Sequence, residues 1–180
     1  MPDFREIRYL AHGTPHQQRA YQALTRLGIM DALARYHARL TGTIPLDVAI
    51  PGSDLDIICQ VTVAKMPTFA AQLQRAYGHL PDFELQRKMR YGHEVLVCDF
   101  TFEAFPVQVY ASPVPVEAQR AWVHLLAEAH LLANAGVGAK EAIRALKLQG
   151  LKTEPAFVRY FGLGNEADAY EILYRLRIKS

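Results

Sequence analysis

Leu40-Thr41-Gly42-Thr43 and, a short step later, Ser53-Asp54-Leu55-Asp56-Ile57-Ile58 decide how the rest of the chain is read. The first stretch is a small-residue turn after an apolar position. The second enters a strand through Pro51-Gly52. Side chains alternate across a strand, so Asp54 and Asp56 share one face while Leu55 and Ile57 share the other. Two neighbouring carboxylates repel each other, and a divalent cation between them relieves the repulsion. Mg²⁺ is commonly held by one or two carboxylates plus substrate phosphates. Gly42-Thr43 adds backbone N–H groups and a hydroxyl, which suit a phosphate. An Asp-x-Asp at a strand start is, taken alone, more often only a solvated turn. The combination of Gly-Thr, a twelve-residue step from Gly42 to Asp54 and then Ser-Asp-hydrophobic-Asp-hydrophobic is more specific.

That combination resembles the nucleotidyltransferase superfamily, the group of DNA polymerase beta, aminoglycoside nucleotidyltransferases and minimal nucleotidyltransferases. Its signature is Gly-Ser, about ten residues, then Asp-hydrophobic-Asp. Thr43 stands where Ser is usual and keeps the hydroxyl. Thr41-Gly42-Thr43-Ile44-Pro45 and three further stretches are similar to an uncharacterised bacterial family of unknown function within that superfamily. The three are Gln18-Arg19-Ala20-Tyr21-Gln22, Ile50 through Cys59, and Gly150-Leu151-Lys152-Thr153-Glu154-Pro155-Ala156-Phe157. The resemblance covers most of the chain. It implies an α+β fold: a small mixed sheet, helices packed on one face, and a C-terminal helical part.

Composition sets wider bounds. A length of 180 residues suits a single domain, here a core over about 14–112 with a helical part over about 113–180. Half the residues are apolar, enough for a substantial core. A net charge of +2 gives no argument for an extensive nucleic-acid-binding surface. Cys59 and Cys98 lie in apolar runs without metal-ligand spacing, so buried thiols are expected. No secretion-signal pattern or membrane-length apolar run is visible, which makes the cytoplasm the expected compartment.

In order, the chain reads as an irregular start, then a helix capped by Thr14-Pro15 and stopped at Gly28. A second helix is expected over about 30–39 and the central strand over about 54–63. A helix follows from Pro67 to about Gly78, then a strand over 83–90 and two more over about 94–102 and 105–110. If Glu103-Ala104 form the turn, Phe102 faces Phe105, Phe100 faces Val107 and Asp99 faces Gln108. Phe100, Phe102, Phe105, Val107 and Val109 then make one apolar face, and Asp99, Thr101, Gln108 and Tyr110 the other. Helices are expected at about 115–134, 139–149, from a Thr153 cap to Gly162, and 166–177.

The resemblance implies three carboxylates holding one or two Mg²⁺ ions: Asp54, Asp56 and a third acid on a neighbouring strand. Gln108, in Val107-Gln108-Val109, takes the position where the family pattern carries that acid. Gln is a poor metal ligand. Asp99, directly across the expected hairpin, is a replacement on the same face or else a solvated residue, with Glu103 as the next candidate. Gly42, Thr43, Ser53, Lys88, Arg90 and Lys152 are candidate nucleotide-binding residues, although Lys88 and Arg90 equally form a solvated face. His124 and Glu128 are expected as a surface i,i+4 pair. Three functions follow. The first is Mg²⁺-dependent transfer of a nucleoside monophosphate from a nucleoside triphosphate to a small molecule, protein or RNA. The second is a degenerate nucleotide-binding protein without turnover. The third is a toxin–antitoxin-like interaction module without catalysis.

Overall fold

The computed structural model describes residues 1–176. A five-stranded mixed sheet organises it, in the order β1-β2-β5-β4-β3. The strands are β1 Arg39–Thr41, β2 Leu55–Gln60, β3 Glu84–Arg90, β4 His93–Phe102 and β5 Phe105–Ser112. All neighbours run antiparallel except β2 and β5, which are parallel. The hairpin follows the register its pattern implies, with Phe102 opposite Phe105, Phe100 opposite Val107 and Asp99 opposite Gln108. Glu103 in the turn takes a φ of 54°.

Helix α1, Pro15–Leu27, opens with a reciprocal capping box between Thr14 and Gln17 and ends on Gly28 in the left-handed region. The expected helix over 30–39 breaks up. A short α2, Ile29–Ala32, gives way to a 3₁₀ turn at Ala34–Tyr36, His37 turns left-handed, and the chain enters β1. The backbone of β1 pairs with that of β2, an energy that helical periodicity does not anticipate. After β1, Thr43–Leu46 form the short α3. Helix α4, Met66–Tyr77, packs with α1 on one face of the sheet. Ala20, Leu24, Phe69 and Leu73 there meet Leu55, Ile57, Cys98, Phe100, Val107 and Val109 in one buried cluster.

The other sheet face carries the C-terminal helices α5 Arg120–Ala133, α6 Ala139–Leu148, α7 Thr153–Phe161 and α8 Ala169–Arg175. The expected helix over 115–134 starts later, because Pro115 leads into a 3₁₀ turn at Val116–Ala118. Lys152, not Thr153, is the N-cap of α7, and its side chain makes no cap hydrogen bond. Asn165 does cap its segment, accepting from the Ala167 N–H. The expected end of the last helix at 177 lies outside the described residues. Ile58 of β2 joins Trp122, Leu125, Ile143, Phe157, Val158 and Leu173 in a second cluster. No described helix is long and apolar enough to cross a membrane.

Candidate functional site

One row of residues crosses all five strands. Thr41 pairs with Asp56, Asp56 with Gln108, Gln108 with Asp99, and Asp99 with Glu84. Neighbouring strands lie ~4.8 Å apart. Gln108 is therefore one strand from Asp56, and Asp99 is two strands away, a backbone distance of roughly 10 Å. Gln108 bridges the gap by donating from Nε2 to Asp99 Oδ1 at 2.8 Å.

Asp56 sits against Gly42. The glycine adopts φ 77° and ψ −152°, a conformation essentially restricted to glycine. A Cβ there would stand 2.1 Å from Asp56 Oδ2. The Gly-Thr turn thus closes over the carboxylate, and the bare α-carbon makes the approach possible. Asp54 lies just ahead of β2 and is half-buried. No described donor hydrogen-bonds either carboxylate. Burial, then the charge of Asp54, then that of Glu154, push the Asp56 carboxyl up to about 7, while Lys147 opposes them. The Asp54 carboxyl is also raised, by burial and Asp99, against the pull of Lys152.

Asp56 opens on a cleft of about 640 Å³ between the sheet and the C-terminal helices, and Asp54 is not among the residues that line it. Thr43, Asp56, Gln108 and Tyr110 line the sheet side, and His124, Glu128 and Glu154 the helical side. Arg90 and Tyr91, from the β3–β4 turn, stand at its edge. The Arg120 guanidinium lies 4.6 Å from the Tyr91 ring centre and 4.5 Å from that of Tyr174, between the hairpin tip and α8.

The other candidates separate. Thr43, 9% exposed, lines the cleft. Ser53 is occupied in a turn, its Oγ accepting from the Ile50 N–H at 3.0 Å. Lys152 is exposed, and its charge reaches Asp54. Lys88 lies on the edge strand opposite Val95, away from the cleft lining. Glu103 is drawn to the far side of the molecule's chemistry, paired with Arg26 at 2.6 Å. His124 and Glu128 are not a surface pair. They are 5% and 3% exposed, because α6, α7 and α8 fold back over that side of α5. Burial holds the Glu128 carboxyl well above its usual range, and Lys147 is lowered to about 8 by the same cause. Lys147 Nζ donates to the Val48 carbonyl at 2.9 Å.

Glu154 carried no assignment in the sequence. Its side chain is 20% exposed, it lines the cleft, and Oε1 stands 3.3 Å from His124 Nδ1. The one signal for it was its place in the family-like stretch from Gly150 to Phe157. Among the described residues, no three His, Cys, Asp or Glu side chains are grouped to hold a metal ion. The hard oxygens of Asp54 and Asp56, unpartnered and mutually repelling, fit Mg²⁺ by kind.

Solved structures share this fold at low sequence identity. The GLD-2/RNP-8 complex matches with a TM-score of 0.53 and 10% identity over 93% of this chain and 61% of that one. The Cid1 poly(U) polymerase with MgGTP bound matches with a TM-score of 0.52 and 14% identity over 78% and 46%. The polymerase core of TRAMP, an RNA surveillance complex, matches with a TM-score of 0.50 and 13% identity over 93% and 51%. The chain thus spans about half the length of these nucleotidyltransferases, and the likeness is one of fold. No curated protein matches it. Residues 22–176 match the family described as a domain of unknown function (DUF4269), and the chain belongs to that family.

Proposed function

We propose that this protein is a Mg²⁺-dependent nucleotidyltransferase that moves a nucleoside monophosphate from a nucleoside triphosphate to a hydroxyl acceptor. The observation that carries the reading is Asp56, without a hydrogen-bond partner, closed over by Gly42 and lining a cleft large enough for a nucleotide, with the Asp54 charge acting on it. A half-buried carboxylate without a hydrogen-bond partner is costly unless something charged binds there. Asp54 and Asp56 would hold the ion, which when bound orients the triphosphate and neutralises charge that develops on it. The chain's own groups do the rest. The Gly42-Thr43 turn presents a backbone N–H and a hydroxyl to phosphate oxygens. Lys152 and Arg90 add positive charge at the rim. The helical wall excludes water from the side opposite the sheet.

Gln108 favours a second reading, a nucleotide-binding protein with little turnover. It places an amide where a carboxylate would neighbour Asp56, and it occupies Asp99 by hydrogen bonding. One set of measurements separates the two. Mg²⁺ with a nucleoside triphosphate raises the melting temperature in both, by mass action on the native state. Asp54→Asn abolishes that rise in both. Pyrophosphate release from labelled triphosphates occurs only in the first. A melting temperature indifferent to Mg²⁺ and triphosphate, or a rise that survives Asp54→Asn, removes both readings.

A further inference from the structure

We infer that Glu154 is the general base of the transfer, taking the proton from the acceptor hydroxyl, with His124 as the residue that positions it. The inference rests on the transferase reading above. It starts from hydrogen-bond bookkeeping inside the helical wall. His124 Nε2 lies 2.9 Å from the Tyr170 carbonyl oxygen, which can only accept, so Nε2 carries a hydrogen. That nitrogen is closed to substrate. Nδ1 faces Glu154 Oε1 at 3.3 Å, and one hydrogen lies between them. The charge of the same carboxylate also raises the Tyr170 hydroxyl, after burial. Glu154 is therefore held from behind by His124 while part of it faces the cleft. This is the arrangement in which a base is oriented by a third group and its other lone pairs stay available.

Other acid–base groups stand nearby, among them His93, which lines the cleft from the exposed hairpin. Asp99 accepts from Gln108 and stands two strands from Asp56. Glu128 lines the same wall but is 3% exposed, and burial holds its carboxyl well above its usual range. Asp54 and Asp56 would hold the ion. Glu154 is the carboxylate on the wall opposite Asp56, and its charge acts on Asp56 more strongly than that of Asp99 does. In the step, the acceptor O–H proton passes to a Glu154 oxygen. The freed electron pair forms the new O–P bond at the α-phosphorus. The bond from that phosphorus to the bridging oxygen breaks, its electrons leaving on pyrophosphate. Glu154 then returns its proton to water.

The test uses the full chain, Mg²⁺ and each of the four labelled nucleoside triphosphates, with an oligoadenylate and with water itself as acceptor. Pyrophosphate release is followed against pH. Glu154→Gln is expected to lower kcat about 100-fold or more across the pH range, as loss of a general base does. It should leave the nucleotide-induced melting shift and KM within about threefold. Because Gln could disturb the wall, Glu154→Asp and His124→Gln are measured beside it. Both should retain more of the parental kcat than Glu154→Gln does. A readout without turnover is the ¹⁵N spectrum of the His124 ring: the Nδ1 signal should move on Glu154→Gln and the Nε2 signal should stay. A parent that releases pyrophosphate with a Glu154→Gln variant equally active overturns the base assignment alone. An unmoved Nδ1 signal overturns the positioning by His124. A parent that binds triphosphate but releases none to either acceptor overturns the transferase reading and this inference with it.

Discussion

Replacing Asp56 by Asn should stabilise the ligand-free protein while destroying its response to Mg²⁺ and nucleotide. The carboxyl is displaced upward, from an ordinary value of 3.8 to about 7, chiefly by burial and then by Asp54 and Glu154. A folded-state value above the unfolded one means that the folded protein holds the proton more tightly. Stability is therefore full below about pH 4 and falls as pH rises to about 7, where the folded form also ionises. The interval corresponds to roughly 4 kcal/mol, at about 1.36 kcal/mol per tenfold change in acidity. Asn cannot ionise, so the variant should not show this fall. At pH 8 in EDTA it should exceed the parent by ~2–4 kcal/mol, a rise of roughly 4–16 °C in melting temperature for a chain of this size. At pH 4 the two should nearly coincide. The assay is thermal unfolding by circular dichroism at half-unit steps from pH 4 to 8.5, repeated with Mg²⁺ and triphosphate. Parallel parental and variant curves across that range, or a variant less stable at pH 8, would refute the account of Asp56 as an acid whose desolvation outweighs the pull of Lys147.

Three other outcomes are expected. Gly42→Ala should lower stability by about 1–3 kcal/mol, from backbone strain at a glycine-only conformation, and should expel the Asp56 side chain; an unchanged melting temperature and an unchanged nucleotide shift would contradict it. Gln108→Glu should place a third carboxylate between Asp56 and Asp99, destabilise the metal-free protein at pH 8, and increase pyrophosphate release in Mg²⁺; titration calorimetry with Mg²⁺ checks the first part through a higher affinity than the parent's. Lys147→Met should lower stability at pH 7 by ~1–3 kcal/mol, because the Val48 carbonyl loses its donor and the charges of Asp56 and Glu154 lose a counter-charge; urea unfolding that matches the parent would contradict it.

Local pattern made some of this legible. The Phe100–Val109 segment segregates apolar from polar side chains at period two, so its register could be fixed from the residue order alone. The short step from Gly42 to Asp54 carried the closed turn, since only glycine tolerates the approach of Asp56. What was hidden depended on distant chain segments. β1 has three residues, too few for any periodicity, and exists because β2 lies beside it. His124 and Glu128 carry the polar spacing of a solvated helix face, and only the return of α6, α7 and α8 buries them. Glu154 stands in a family-like stretch, but its approach to His124 needs α7 laid against α5.

The parallel pairing of β2 with β5 sets the order in which the site is built. β1 and β2 are neighbours in sequence, yet the other flank of β2 stays open until β3 and β4 have been made and β5 slots in between β2 and β4. During synthesis the two aspartates leave the ribosome well before Gln108, and longer still before Glu154. A nascent chain halted before Phe105 would carry both acids on a strand with one unsatisfied edge and no opposite wall. Such a chain should be a poor nucleotide binder and a good substrate for chaperones and proteases, so binding competence should arrive abruptly once α7 has been released.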